Sequence, residues 1–148
     1  MADISLHLSK APSILQLHLK RFAYDRVLQR SVKLSHSVTV LPQLKIAGEG
    51  YTLFAAIIHS GGAGGGHYYT IARPNAGGKW FKFDDVCVTG VEFSSVQRSC
   101  EGGEGRESAY MLYYAKDSAS KWLFHPGGGL EVMPDHVKAS HQERIDAR

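Results

Sequence analysis

The chain has 148 residues, and its 17 lysines and arginines against 14 aspartates and glutamates leave a formal net charge of +3. This length predicts one domain rather than two, and charges so nearly balanced and so scattered argue against a nucleic-acid partner. No apolar run is long enough to cross a membrane and residues 1–10 lack the pattern of a secretory signal, so the sequence predicts a soluble intracellular protein, of the cytoplasm, the nucleus or both, without membrane contact.

Apolar and polar residues alternate along much of the first half of the chain, which is the pattern of half-buried strands. The predicted elements are strands at residues 1–10, Ile14–Phe22 and Tyr51–Ser60, with turns at Tyr24–Ser31 and residues 47–50. The strand at Tyr51–Ser60 is apolar on both faces, which predicts a central strand covered on both sides.

Five of the six residues from Gly61 to Gly66 are glycine. Such a run disfavours both a helix and a packed strand, and we expect a mobile loop. A dinucleotide-binding fingerprint would need a glycine where His67 stands, and a phosphate-binding loop would need lysine there followed by serine or threonine. Neither type of nucleotide site is therefore predicted.

A hairpin is predicted after this loop. Residues His67–Arg73 and Lys79–Asp84 are rich in aromatic and β-branched side chains, and turn-forming residues separate them. If the two strands fold back symmetrically, His67 lies directly opposite Asp84, with Cβ atoms about 4.5 to 5.5 Å apart. A histidine beside a carboxylate is either the base-and-orienter part of a nucleophilic triad or a polar pair at a sheet edge.

The rest of the chain predicts simpler elements. Val86–Phe93 is expected to form a short strand and turn behind the hairpin, Glu101–Glu107 a surface loop, and Ala109–Ala115 a final strand. Residues 117–148 contain no periodic element and are expected to form a flexible tail.

The two cysteines, Cys87 and Cys100, are expected to be free thiols in a reducing compartment. Neither belongs to a pair with metal-ligand spacing, and His59 with His67 lacks a third ligand, so no metal site is predicted. We expect Cys87 to be a semi-buried residue at a strand end rather than a nucleophile.

Three segments resemble motifs of one enzyme family. They are APSILQLHLKRF at Ala11–Phe22, GGAGGGHYYTIAR…KWFKFDD at Gly61–Asp85 and AYMLYY at Ala109–Tyr114. In this order they are similar to the P-x-x-L-x-L-H-L-K-R-F segment, the histidine box and the closing strand of the ubiquitin-specific proteases, which are papain-like deubiquitinating cysteine peptidases. The 17 positions from His67 to Asp84 also match that family's spacing.

The resemblance implies an α+β papain-like fold, of which this chain carries mainly the antiparallel palm-side sheet. Residues 1–116 would form the C-terminal portion of the catalytic domain, followed by the tail at 117–148. The implied roles are general base for His67 and orienting carboxylate for Asp84. Asp85, pointing to the opposite face if the strand continues, would brace the loop or hold an oxyanion-stabilising water.

The family's channel for the ubiquitin tail supplies the expected substrate-binding residues, which are Gly64, Gly65, Gly66 and Tyr68. Glycines suit such a wall, because a substrate ending in two glycines requires close backbone approach. The implied partner is ubiquitin or a ubiquitinated protein, and no cofactor is implied.

The family's nucleophile lies in a G-L-x-N-x-G-N-x-C-Y box, and no segment of this chain has that form. We expect it on an N-terminal lobe of the same catalytic domain, preceding Met1, so that this chain alone would be inactive. Two functions follow from the sequence. The chain is the His/Asp portion of a deubiquitinating peptidase, or it is a non-catalytic module that binds ubiquitin without a nucleophile.

Overall fold

The computed structural model describes residues 10–75, 78–103 and 107–120. The strand predicted at residues 1–10 lies outside the described residues except for Lys10, and so does the predicted tail beyond Ser120. Within the described ranges, no helix is long and apolar enough to span a membrane.

Strands dominate the described chain. They are β1 Ile14–His18, β2 Phe22–Asp25, β3 Arg30–Lys33, β4 Gln43–Ile46, β5 Glu49–Gly62, β6 Gly65–Ala72, β7 Trp80–Asp84, β8 Cys87–Val91 and β9 Glu107–Lys116. One α-helix, α1, spans Phe93–Glu101, and a 3-10 turn spans Asp117–Ala119. Seven strands form an antiparallel sheet in the order β1-β9-β5-β6-β7-β8, with β4 also paired to β5, while β2 and β3 form a separate hairpin. The predicted α+β class with a dominant antiparallel sheet is confirmed.

The long strand β5 lies at the centre of the sheet, as predicted. It pairs with β9 along one edge and with β6 along the other. Tyr51, Leu53 and Ile58 are each at most 1% exposed, because these side chains pack inside the hydrophobic core. The hydroxyl of Tyr51 donates a 2.7 Å hydrogen bond to the Pro12 carbonyl, so its polar end is satisfied.

Helix α1 covers one face of the sheet and was not predicted. Val96 and Cys100 are fully buried, and Phe93 lies 5.8 Å from the Trp80 ring. The apolar spacing of residues 93, 96 and 100 is a helical signal that the strand-and-turn prediction for Val86–Phe93 overlooked.

The predicted strand Ile14–Phe22 is broken in the structure. β1 ends at His18, and the next strand begins at Phe22. Between them the buried Arg21 donates hydrogen bonds to the carbonyls of Ala109 (3.2 Å) and Glu101 (3.3 Å), and also to that of His36. Three carbonyls from distant segments satisfy this buried guanidinium, and periodicity alone does not encode such contacts.

The remaining predictions are close to the structure. The turn predicted at Tyr24–Ser31 lies between β2 and β3, although both ends of the predicted range belong to strands. The final strand at Ala109–Ala115 is confirmed as β9 and is longer than expected. The surface loop predicted at Glu101–Glu107 is confirmed at 102–103, whereas Glu101 ends α1 and Glu107 begins β9.

Candidate functional site

The glycine run forms the tip of the hairpin between β5 and β6, and Gly61 is paired with Gly66. A Cβ on Gly61 would lie 2.7 Å from the Cα of Gly66, and a Cβ on Gly66 would lie 2.5 Å from the carbonyl oxygen of Ser60 and overlap the His59 ring. The prediction of a mobile loop at Gly61–Gly66 was wrong. These glycines let two paired backbones and a histidine ring approach closely. We call the segment Gly61–Gly66 the glycine hairpin.

We expect Gly66→Ala to lower the free energy of unfolding by about 1 to 3 kcal/mol, the usual cost of forcing a methyl group into packed surroundings. Gly64→Ala is the matched control, because a Cβ on Gly64 meets no atom within 4 Å. Its effect should stay within about 0.5 kcal/mol. Urea unfolding of both variants measures the difference, and equal midpoints would contradict the packing described here.

His67 and Asp84 meet, but the register of their strands differs from the prediction. The ladder pairs Thr70 with Phe83, whereas placing His67 directly opposite Asp84 would pair Thr70 with Phe81. The predicted register was therefore wrong by two residues. Such a shift keeps every side chain on its own face, so the pair becomes a diagonal one. The Nε2 atom of His67 lies 2.5 Å from the Oδ1 atom of Asp84.

A lysine completes this pair. The Nζ atom of Lys82 lies 2.8 Å from the Oδ2 atom of Asp84 and 4.0 Å from the centre of the Tyr69 ring. Hydrogen bonds from Lys82 and from His67 lower the pKa of Asp84 below its ordinary value. Lys82 was missed in the sequence, although its place two residues before Asp84 puts both side chains on the same face of β7.

This geometry fixes which nitrogen of His67 can act as a base. An ionised carboxylate only accepts hydrogen bonds, so Nε2 carries the proton that is donated to Asp84. In the neutral ring, Nδ1 then holds the lone pair that can accept a proton. The His67 side chain is 46% exposed. It is therefore accessible to a reacting group from another segment or another molecule.

Asp85 lies on the same side as this pair, not on the opposite side. β7 ends at Asp84, and Asp85 begins the turn to β8 with a left-handed φ of 50°. Its carboxylate, the Asp84 carboxylate and the His67 ring place donor atoms within 4.8 Å of one another. The expectation of an opposite orientation was wrong, because the strand does not continue. A metal ion at these donors would compete with the Lys82 ammonium for Asp84.

The other face of β6 carries an aromatic cluster, which we define as Phe22, His59, Tyr68 and Tyr110. The ring of Tyr68 lies 4.7 Å from that of His59 and 5.5 Å from that of Tyr110, and Phe22 lies 5.1 Å from His59. Tyr110 is the extra residue of a β-bulge between β9 and β5, which directs its side chain to this face. Tyr68 remains 48% exposed. The cluster therefore presents an accessible aromatic surface.

The structure places the four predicted substrate-binding residues around this surface in different ways. Gly65, Gly66 and Tyr68 line an open hollow of about 410 Å³ together with Phe22 and His59. Gly64 does not line it and lies at the exposed tip of the hairpin. Period-2 alternation separates Tyr68 from His67, so the hollow and the His67–Asp84 pair lie on opposite faces at the base of one hairpin.

Neither cysteine forms a hydrogen bond with His67 in the described residues, where that ring is bonded to Asp84. Cys87 is exposed and paired with Asp84 across the β7–β8 turn, so the prediction of a semi-buried position was wrong. Cys100 is fully buried in α1, and burial raises its pKa to about 12, which makes its thiol a poor nucleophile. Both thiols are free, as predicted.

The antiparallel sheet of the described residues, with α1 on its covered face, agrees with the β-rich subdomain of a papain-like cysteine peptidase fold, which the motif resemblance implied. The family model for ubiquitin carboxyl-terminal hydrolases matches residues 3–114 of the chain. The chain belongs to this family, as its three motifs predicted.

Individual relatives agree with this assignment. The chain is 32% identical to ubiquitin carboxyl-terminal hydrolase 15 of Schizosaccharomyces pombe, with 89% of the chain aligned. It is 33% identical to ubiquitin carboxyl-terminal hydrolase 7 of Drosophila melanogaster over 91% of the chain, and 32% identical to ubiquitin C-terminal hydrolase 13 of Arabidopsis thaliana over 72%. The aligned region spans only 14% of the first relative and 13% of the other two.

Proposed function

We propose that this chain supplies the His/Asp half of a deubiquitinating cysteine peptidase, which hydrolyses isopeptide bonds at the C-terminal glycine of ubiquitin. The observation that carries this proposal is the contact of 2.5 Å between Nε2 of His67 and Oδ1 of Asp84. This contact leaves the lone pair of the neutral His67 ring on Nδ1, and thiol-dependent acyl transfer requires such a proton acceptor beside the nucleophile. Membership of the ubiquitin carboxyl-terminal hydrolase family supports the substrate class.

In the proposed reaction, a cysteine thiolate adds to the carbonyl carbon of the terminal glycine. The carbon–nitrogen bond to the substrate lysine breaks, and the His67 imidazolium gives its proton to the leaving amine. Water then adds to the thioester carbon while His67 takes a proton from it, and the carbon–sulfur bond breaks to restore the thiolate. Asp84 holds the ring in one orientation throughout, fixes the tautomer of the neutral imidazole and stabilises the imidazolium. Asp85, within reach of the same region, would brace the turn or hold a water near the oxyanion.

The hollow beside the glycine hairpin is the proposed path of the ubiquitin tail. A Cβ on Gly65 would meet no atom within 4 Å, so this glycine leaves space for close backbone approach, and the Tyr68 ring supplies a flat aromatic wall of the same hollow. An extended tail can lie along such a wall, because aromatic rings bury a large area with little loss of conformational freedom.

We expect Tyr68→Ala to weaken ubiquitin binding at least about tenfold, which is the usual effect of removing an aromatic anchor from an interface. Val88→Ala is the control, because Val88 is 57% exposed on β8 and lies outside the hollow. Calorimetric titration of ubiquitin into each variant of the chain measures the effect. Equal dissociation constants for the two variants would exclude Tyr68 from the binding surface.

The nucleophile is proposed to lie on a Cys-bearing N-terminal lobe of the same catalytic domain. Cys100 is buried, and Cys87 makes no hydrogen bond to His67 in the described part of the chain. The two free cysteines also support the intracellular location predicted from the sequence, in the cytoplasm or the nucleus.

A chimera tests the proposal. Residues 3–114 of this chain replace the matching segment of the Schizosaccharomyces pombe relative, and the product is assayed with ubiquitin carrying a fluorogenic amide at its C-terminus. We expect cleavage by the chimera and by the parent relative, and none by the isolated 148-residue chain. A folded chimera, checked by its cooperative thermal transition, that fails to cleave the reporter would refute the proposal.

The second candidate is the non-catalytic ubiquitin-binding module, in which the exposed aromatic surface around Tyr68 would contact ubiquitin without chemistry at His67. It predicts that the chain binds ubiquitin and that His67→Ala leaves its biological role unchanged. The two candidates separate in the chimera, because only the peptidase function requires His67 to support cleavage. A chain that bound no ubiquitin in the titration would exclude the module.

A further inference from the structure

Lys33, at the end of β3, reaches across from the small β2–β3 hairpin to the glycine hairpin. Its Nζ atom donates hydrogen bonds to the carbonyl oxygens of His59, at 2.9 Å, and Gly61, at 3.1 Å. Both residues belong to β5. His59 lies just outside the glycine hairpin, and Gly61 is its first residue. One ammonium group therefore connects two hairpins that belong to separate sheets.

Both accepting carbonyls lie along one edge of β5. Carbonyls of alternate strand residues point to the same edge, so those of His59 and Gly61 face the same side. At these positions β5 is also paired with β6, through His59–Tyr68 and Gly61–Gly66. The Lys33 ammonium donates to both carbonyls at this edge.

Two further contacts make the β2–β3 hairpin a firm support. At its beginning, the buried Arg21 donates hydrogen bonds to the carbonyls of Ala109 and Glu101, which belong to β9 and α1. On β2, the ring of Phe22 packs edge-on against His59 at 5.1 Å, and Gly66 lies directly against that His59 ring.

The ammonium of Lys33 is held in partly desolvated surroundings. Burial and the nearby charge of Arg21 lower the pKa of Lys33, and Glu107 acts in the opposite direction. A charge in such surroundings requires polar partners. The carbonyls of His59 and Gly61 meet this requirement.

We propose that Lys33 is a positioning residue, which fixes the glycine hairpin against the β2–β3 hairpin and thereby sets the position of His67. The link to His67 is short, since the pair Ser60–His67 adjoins the pair Gly61–Gly66 in the ladder. The catalytic part of this inference rests on the proposed deubiquitinating function. The structural part, that Lys33 fixes one hairpin against the other, does not depend on that function.

Hydrogen exchange of the 148-residue chain tests the structural part. We expect Lys33→Met, which keeps an apolar stem but removes the ammonium, to make amide exchange in the glycine hairpin at least about fivefold faster, since local openings follow local contacts. Lys33→Arg should restore protection, because a guanidinium can donate to both carbonyls. Lys45→Met, at an exposed lysine of β4 that makes neither contact, should change nothing there.

Two results would overturn the structural part. One is equal protection of the glycine hairpin in Lys33→Met and Lys45→Met. The other is faster exchange spread evenly over β5, β9 and α1, which would indicate a general loss of stability. If Lys33→Met does not fold, Lys33→Gln, which removes the charge and shortens the side chain, provides the same comparison.

Steady-state kinetics of the chimera test the catalytic part. We expect Lys33→Met to lower kcat at least about tenfold with KM changed less than about threefold, because misplacing a catalytic group by a fraction of an ångström acts on the chemical step. Lys33→Arg should restore kcat. Faster exchange without a lower kcat would refute the positioning role and leave the proposed function intact, whereas a chimera inactive with the native Lys33 would refute the proposed function alone.

Discussion

His67→Ala is expected to lower kcat/KM of the chimera at least about a thousandfold, within the range by which general acid–base groups accelerate reactions. The variant loses both the group that deprotonates the thiol and the acid that protonates the leaving amine. The His67 side chain is 46% exposed, so its removal should change the free energy of unfolding by less than about 0.5 kcal/mol. Lost activity would then reflect lost chemistry rather than unfolding.

His36→Ala is the matched control. His36 is also exposed, and its contact with Arg21 uses the backbone carbonyl, which the substitution keeps. Its kcat/KM should stay within about twofold of the unsubstituted chimera, as for surface changes remote from a site. Ubiquitin binding should survive in both variants. If His67→Ala retained more than a tenth of the activity, His67 would not be the base.

Asp84→Ala is expected to lower kcat of the chimera by about 10²- to 10⁴-fold, because the His67 ring loses the acceptor that fixes its tautomer and orientation. Asp85→Ala is the comparison, since its carboxylate lies nearby but makes no hydrogen bond to His67 in the described residues. We expect Asp85→Ala to lower kcat less than Asp84→Ala does, because the Asp85 carboxylate does not fix the orientation of the His67 ring. A larger loss at Asp85 than at Asp84 would reverse the roles given to these two carboxylates.

The contacts of Asp84 with Lys82 and His67 predict how its carboxyl group responds to pH. Its pKa is lowered from 3.8, mostly by the hydrogen bond from Lys82 and next by the hydrogen bond from His67. Its favourable interaction is therefore present above the unfolded-state value and is lost as the pH falls through the lower folded-state value. Asp84 should stay ionised from pH 5 to 8, and Lys82→Met should raise its pKa. Carboxyl-carbon NMR titration measures both.

His67 and Asp84 were predictable members of the candidate site, whereas Lys82 and the geometry of the site were not. The motif and its spacing identify His67 and Asp84, and period-2 alternation predicts that both side chains lie on one face. The register between β6 and β7 differed by two residues from the symmetric hairpin. A two-residue shift leaves the apolar pattern of each strand unchanged, so alternation alone cannot distinguish the two registers.

The glycine hairpin illustrates a second limit. Its composition is that of a loop, and glycine does weaken isolated strands. Here the neighbours decide, since Gly66 packs against the ring of His59 and Lys33 binds the carbonyls of His59 and Gly61. The Lys33 contacts are not visible in the local sequence, because Lys33 lies 26 positions before His59.

The sequence by itself determined the family, the dominant antiparallel sheet, the central strand β5 and the identity of the His67–Asp84 pair. These follow from motifs and periodicities that act over a few residues. Only the tertiary structure decided the register of the pair, the side on which Asp85 lies, the aromatic cluster and the hydrogen bonds from Lys33 to β5. Each of these brings together segments distant in sequence, and their contacts depend on how strands end, bulge and turn in space rather than on local preference.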